Sequence, residues 1–319
     1  MFRSSIVFFL TALLGFSCNT PAVKEENRKI TIASLNGPSS MALIKLIDSL
    51  DCEKNNNISV EILAEPVQVR KMMLDGTADF ALLASNLGAI IYNKGLDYRL
   101  MAIPVWGTLY LFGQDSTIKS WEDLRGKKVY AMARGMIPDV LFRYLLIKNG
   151  IEPDNDITLD YSFPSHIDLA NAVAAGQAEL AVISEPLVSL VMKRNIKVSA
   201  IMDLNNEWNL LQGTPIAQTA LLGSGSFIDN NPVLAGMILS ACERSVAWVN
   251  SNPDSAAVLI VKHNILPEID VAKASIPRSN MNFMRADSIQ SEINDFFRVF
   301  FEMDPDIIGG KIPDEKFYY

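Results

Sequence analysis

Two octapeptides one hundred positions apart constrain this chain more than any other feature. Gly76-Thr-Ala-Asp79-Phe-Ala81-Leu-Leu is answered by Gly176-Gln-Ala-Glu179-Leu-Ala181-Val-Ile, and a serine follows each, Ser85 or Ser184. Each octapeptide reads as a glycine that ends a helix, followed by a nearly continuous apolar strand of the kind buried on both faces. An earlier echo keeps the same order. Ile30 to Leu46 and Lys128 to Leu146 are both a strand, a polar loop with Gly and Pro, and an amphipathic helix. Two echoes in one order predict two similar α/β lobes.

Between the echoes, short β-rich runs alternate with helical stretches. Ile30 to Ser34, Ile58 to Leu63 and Asp79 to Ala84 read as strands, with helices predicted over Ser39 to Leu50 and Val67 to Asp75. Helices recurring between strands imply parallel βαβ units. After the second lobe, Ile216 to Leu222 reads as one more strand, and Pro232 to Asn250, Pro253 to His263 and Ser288 to Met303 as helices. The economical arrangement returns that strand to the first lobe. Crossings are then expected near Phe112 to Ser116 and near Gln218 to Leu222, forming a two-segment hinge with a cleft between the lobes. The division is residues 29–112 plus 218–319 for lobe I and 113–217 for lobe II.

The N-terminus reads as an export signal over residues 1–17. Arg3 precedes the apolar run Ile6 to Phe16, which is too short to span a bilayer permanently. Gly15 and Ser17 stand before Cys18, and a polar stretch follows. This resembles the lipobox of bacterial lipoproteins, with Gly15 where an aliphatic residue is usual. Cys18 is therefore expected to carry lipid, with residues 18–28 as a tether on the outer face of the membrane. Cys52 and Cys242 are expected as separate thiols.

The composition is 49% hydrophobic and 20% charged, which excludes a disordered or fibrous chain. With 28 basic against 36 acidic side chains and no basic patch, nucleic acid is not an expected partner.

The order of these elements carries a resemblance. Together with Ser120-Trp-Glu-Asp-Leu-Arg-Gly-Lys-Lys-Val129, Asn149-Gly150-Ile151, Glu185-Pro186 and the closing Gly309-Gly-Lys-Ile-Pro-Asp314 to Phe317-Tyr-Tyr319, it resembles the SsuA/THI5-like (NMT1-type) solute-binding proteins of ABC importers. The likeness runs from about Lys29 to Tyr319. It implies a type II periplasmic-binding-protein fold, a small-molecule ligand closed between lobes, delivery to an ABC permease in the membrane, and a monomer. Members of the family bind aliphatic sulfonates, nitrate, thiamine-pyrimidine precursors or flavin, so no one ligand is implied. An enzymatic branch, the eukaryotic pyrimidine synthases, combines a pyridoxal phosphate lysine with a cysteine-rich motif. Three scattered cysteines and an export signal do not match it. A ligand-sensing role without transport is the other alternative; it is expected to bring a membrane helix and a signalling domain, neither of which this sequence shows.

In open α/β sheets ligands sit beyond the carboxyl ends of the strands. Here those loops carry Asn36, Ser39, Ser40, Ser85, Asn86, Arg134, Ser184 and Glu185. Ser39, Ser40, Ser85 and Asn86 suit helix N-capping as well as ligand contact. Arg134, in a glycine-containing turn, reads either as a bidentate clamp for a carboxylate, sulfonate or phosphate or as a solvated surface cation. Glu185 selects a donor-rich ligand if it faces the cleft, complements a helix dipole if it does not, or pairs with Arg134. Trp106 offers a stacking face or fills the core, whereas Trp121, Trp208 and Trp248 read as packing residues. Catalysis has little support: two histidines stand apart, and Gly223-Ser-Gly-Ser226 lacks the spacing of a nucleophile elbow. No cofactor is expected.

Overall fold

The computed structural model describes residues 29–54, 57–132, 134–135, 137–163 and 165–319. Cys18 and the export signal lie outside the described residues. The strands are β1 (Ile30–Leu35), β2 (Ile58–Leu63), β3 (Phe80–Ala84), β4 (Tyr98–Trp106), β5 (Leu109–Gly113), β6 (Lys128–Tyr130), β7 (Thr158–Asp160), β8 (Leu180–Ser184), β9 (Ser199–Asp203), β10 (Ala217–Ser224) and β11 (Met281–Arg285). They form two sheets, ordered β11-β4-β10-β3-β1-β2 and β9-β5-β8-β6-β7.

The duplication read from the echoes is a real architectural repeat. Removing β11, each sheet has the same plan: β4, β10, β3, β1 and β2 in one correspond to β9, β5, β8, β6 and β7 in the other. The echoed octapeptides supply β3 and β8. Gly76 and Gly176 adopt φ of +67° and +74° just before them, a conformation in which a Cβ is strained. The sheets are not purely parallel, because β10 and β5 run antiparallel to both of their neighbours.

Those two antiparallel strands are exchanged between the lobes. Lobe I's β4 hands the chain directly to β5 of lobe II, and β9 hands it back, through the helix Leu204–Gln212, to β10 of lobe I. The crossings therefore fall at Gly107-Thr108 and at residues 213–216. Both lie before the positions expected from sequence, because Leu109–Gly113 and Ala217–Ser224 are already paired in their new sheets.

The first crossing is tightly packed. A Cβ on Gly107 would stand 1.9 Å from Asn205 Oδ1 and 2.6 Å from its Cγ. Asn205 cannot swing away freely: its side chain accepts from Leu109 N at 3.3 Å and donates to Leu109 O at 3.3 Å and to Asp203 Oδ1 at 2.7 Å.

The predicted helix over Ser39 to Leu50 is broken at Leu43 into Pro38–Ala42 and Ile44–Cys52, and β11 is a strand that the sequence reading left out. Behind the crossings, the helix Gln290–Met303 sends Phe296 and Phe300 against Trp208, which in turn meets Tyr144 of lobe II. One apolar cluster consequently runs through both lobes, from Val69 and Leu83 to Leu145 and Val182. Cys52 is exposed and Cys242 buried, and both are free thiols.

Gly107→Ala should destabilise the protein by about 1–3 kcal/mol, the usual cost of forcing extra volume into a packed site. Urea unfolding checks this: the midpoint falls relative to wild type, and an unchanged midpoint would show that Asn205 yields.

Candidate functional site

The loops that carry the candidate residues follow β1 and β3 in lobe I and β6 and β8 in lobe II. The loop after β1 meets the loop after β8. A Cβ on Gly37 would lie 3.6 Å from Pro186 Cδ, and Gly37 holds φ at +105°. The Glu185-Pro186 peptide is cis.

The serines expected as caps do something else. Gly37 and Ala84 occupy the N-cap positions of Pro38–Ala42 and Ser85–Asn93, and neither helix has a side-chain cap. Ser40 Oγ donates back to Gly37 O at 3.1 Å, and Ser85 Oγ donates to Ala217 O, tying the helix to the start of β10. Ser39 Oγ stands 3.4 Å from Thr219 Oγ1, a buried hydroxyl pair at the same end of β10. Asn86 is buried; its Nδ2 donates to Ile307 O at 3.2 Å, while its Oδ1 has no hydrogen-bond partner among the described residues. Asn36 is exposed and accepts from Gly37 N at 3.0 Å, and Ser184 is half-buried at the end of β8.

Trp106 belongs to the core. The residue is 4% exposed and its indole Nε1 donates to Asn282 O at 2.7 Å, so the stacking-platform reading gives way to packing. Trp121 and Trp208 are likewise packed, as expected.

Arg134 and Glu185 each have other partners. The Arg134 guanidinium is exposed and lies 5.3 Å from the centre of the Tyr161 ring. Tyr161 is itself held from below: its hydroxyl donates to Asp139 Oδ1 and accepts from Arg143 Nη2 at 3.0 Å. Asp139 also accepts from Gly135 N at 2.7 Å and Arg143 Nε at 3.0 Å, so one buried carboxylate fixes both the Arg134 turn and the ring beneath it. Burial and the Asp139 hydrogen bond push the Tyr161 phenol up to about 12, which keeps the ring neutral under the cation.

Glu185 is buried, 3% exposed. Oε1 accepts from Ser189 Oγ at 2.8 Å and Oε2 from Ser189 N at 3.2 Å, while Arg278 Nε of lobe I stands 3.9 Å from Oε1. Burial pushes its carboxyl up to about 7, against the opposing pull of Ser189, Arg278 and Ser275. Tyr161, Asp139, Thr219 and Arg278 were not singled out from sequence. Only Thr219 had a signal, since it sits in the strand predicted to return to lobe I.

Two surface hollows lie apart from these loops. One, of about 500 Å³, is lined by Tyr92, Asp97, Arg99, Lys316 and Tyr318, and the other, of about 370 Å³, by Lys119, Trp121, Met202 and Glu207 among others. Arg99 of the first is already engaged, reaching Asp229 at 2.7 and 2.8 Å. Among the described residues no group of three or more His, Cys, Asp or Glu side chains could hold a metal ion.

Comparison with known proteins fits this architecture. The model of the family described as NMT1/THI5 like matches residues 54–256. The chain belongs to the NMT1/THI5-like family. An ABC transporter protein from Parabacteroides distasonis superposes with a TM-score of 0.76 at 24% identity, covering 91% of this chain and 98% of that one. The periplasmic aliphatic sulphonate binding protein SsuA from Escherichia coli gives 0.72 at 18% identity, covering 92% of each chain. The Bacillus subtilis protein YtlA is 23% identical over 257 residues, 75% of this chain and 74% of its own length. The fold is that of type II periplasmic binding proteins.

Glu185 sets a pH dependence of stability. Its folded-state pKa of about 7 lies above the ordinary carboxyl value, so its contribution is full below about pH 4.5 and is lost as the pH rises through about 7. Wild type should lose on the order of 2 kcal/mol from this group between pH 5 and pH 8. Urea midpoints at the two pH values check it, with Glu185→Gln expected to remove that part of the slope.

Proposed function

We propose that the protein is the extracytoplasmic solute-binding component of an ABC importer, held to the membrane by lipid on Cys18. It closes its two lobes on a small polar molecule and passes it to a permease. The observation that carries this reading is the pair of lobes of one plan, joined by two short crossings, whose loops after β1 and β8 meet. A ligand that contacts both lobes favours the closed arrangement, and opening at the permease releases it.

An anionic ligand fits the cleft better than a donor-rich one. Glu185 is enclosed by Ser189 and Arg278, whereas Arg134 is exposed with its guanidinium 5.3 Å from the centre of the Tyr161 ring. An exposed guanidinium can offer two N–H donors to the two oxygens of a sulfonate or carboxylate. The Ser39 and Thr219 hydroxyls face the same end of the lobe I sheet. The matched family and the sulfonate-binding SsuA fold support this choice.

A thermal-shift panel on the chain from Asn19, offering alkanesulfonates, nitrate, carboxylates, aminopyrimidines, thiamine and riboflavin, tests the reading. An anion present at about a thousandfold its Kd should add roughly 4 kcal/mol and raise Tm by several degrees. A response confined to aminopyrimidines would reject the anion preference. Arg134→Ala should weaken the responding anion by about 1.5–3 kcal/mol in calorimetric titration, as for a charge-assisted hydrogen bond; unchanged affinity would remove Arg134 from the site. Cys18→Ala should release the full-length protein from the membrane fraction.

A further inference from the structure

One contact between the lobes is made by a pair of helices. The helix Leu187–Arg194, which follows β8 in lobe II, packs along the helix Ile269–Arg278 of lobe I. Leu190 inserts against the lobe I cluster that contains Val271, Ala272 and Ile276. Lys193 Nζ reaches Asp270 Oδ2 at 2.8 Å at one end. At the other, Arg278 Nη1 donates to Ser189 Oγ at 3.3 Å, its Nε lies 3.9 Å from Glu185 Oε1, and its carbonyl accepts from Tyr110 Oη at 3.4 Å.

We propose that these two helices form a latch that holds the lobes together without ligand, with Arg278 as its positioning residue. The exposed Lys193–Asp270 pair is screened by water and contributes little. Arg278 differs because it enters from lobe I and meets groups on two elements of lobe II: Glu185 and Ser189 on the loop and helix after β8, and Tyr110 on β5. Removing Arg278 leaves the Glu185 carboxylate buried between the lobes without its counter-charge, which is costly when the group is ionised.

The latch is expected to respond to pH, in support of the geometry. The groups facing Glu185 are Arg278, Ser275 and Ser189, with Tyr110 nearby and Asp203 beyond it. Burial in the present arrangement raises the carboxyl; opening at the latch would return it toward water and its ordinary value. Closure therefore holds a proton between about pH 4.5 and 7 and weakens above that range. His166, which senses Glu65 of lobe I, is a separate titrating group that Glu185→Gln leaves in place.

Interlobe distances measured by double electron–electron resonance test this without any ligand. Spin labels go on Val67→Cys and Ile167→Cys, both exposed and on opposite lobes, in a Cys52→Ser background that leaves only the buried Cys242. The chain from Asn19 retains every described residue. Wild type should be mainly at the short distance at pH 5, with the closed-to-open ratio falling more than tenfold by pH 8. Arg278→Ala should open the lobes strongly at pH 8 and little at pH 5, where Glu185 carries its proton, and Arg278→Lys should restore part of the closure. Glu185→Gln should stay closed at both pH values, and it keeps the test decisive if Arg278→Ala does not fold. An unchanged distance in Arg278→Ala at pH 8, equal opening at both pH values, or a full pH response in Glu185→Gln would each overturn the latch. Because no ligand takes part, failure of the anion assignment would leave these distances unaffected.

Discussion

The exchange of one antiparallel strand between the lobes is the constraint on which the rest of the molecule depends. β5 and β10 each lie inside a sheet built mostly by the other half of the chain, hydrogen-bonded on both sides. Their pairing fixes where the chain crosses, and leaves only Gly107 and Thr108 between β4 and β5. So short a link cannot let one lobe drift sideways over the other. A relative movement of the lobes has only the two crossings to turn about. The junction of the lobes is thus a product of backbone pairing before any side chain enters it.

The lobes and their duplication were legible because the information is local. Gly76 and Gly176 end helices, and the apolar runs after them are strands of the length and composition that sheets bury. The crossings were placed too late for a reason equally physical. An exchanged strand such as Leu109-Tyr-Leu-Phe-Gly113 has the same apolar pattern whichever sheet receives it, and only long-range pairing decides. β11 escaped notice because Met281 to Arg285 is short and pairs at an edge with a shifted register.

The candidate site was partly legible for the same reason. Strand ends can be counted from sequence, so the loops of Gly37, Ser85, Arg134 and Glu185 were found. What each side chain does there was not, because its partner is distant in the chain. Ser85 answers to Ala217, Asp139 to Tyr161, and Glu185 to Arg278, which sits in a helix with no sequence mark of involvement. Trp106 shows the same limit: a tryptophan near strand ends suggests a platform, but its indole is satisfied by Asn282 in an edge strand.

The aromatic contact behind the crossings has a consequence of its own. Trp208 touches Phe296 and Phe300 on one side and Tyr144 on the other, and the apolar cluster they join is continuous through both sheets. Two lobes linked only by loops could melt one after the other, each with its own transition. Here neither can unfold without exposing part of the other's interior, so the cooperative unit of folding is the whole described chain.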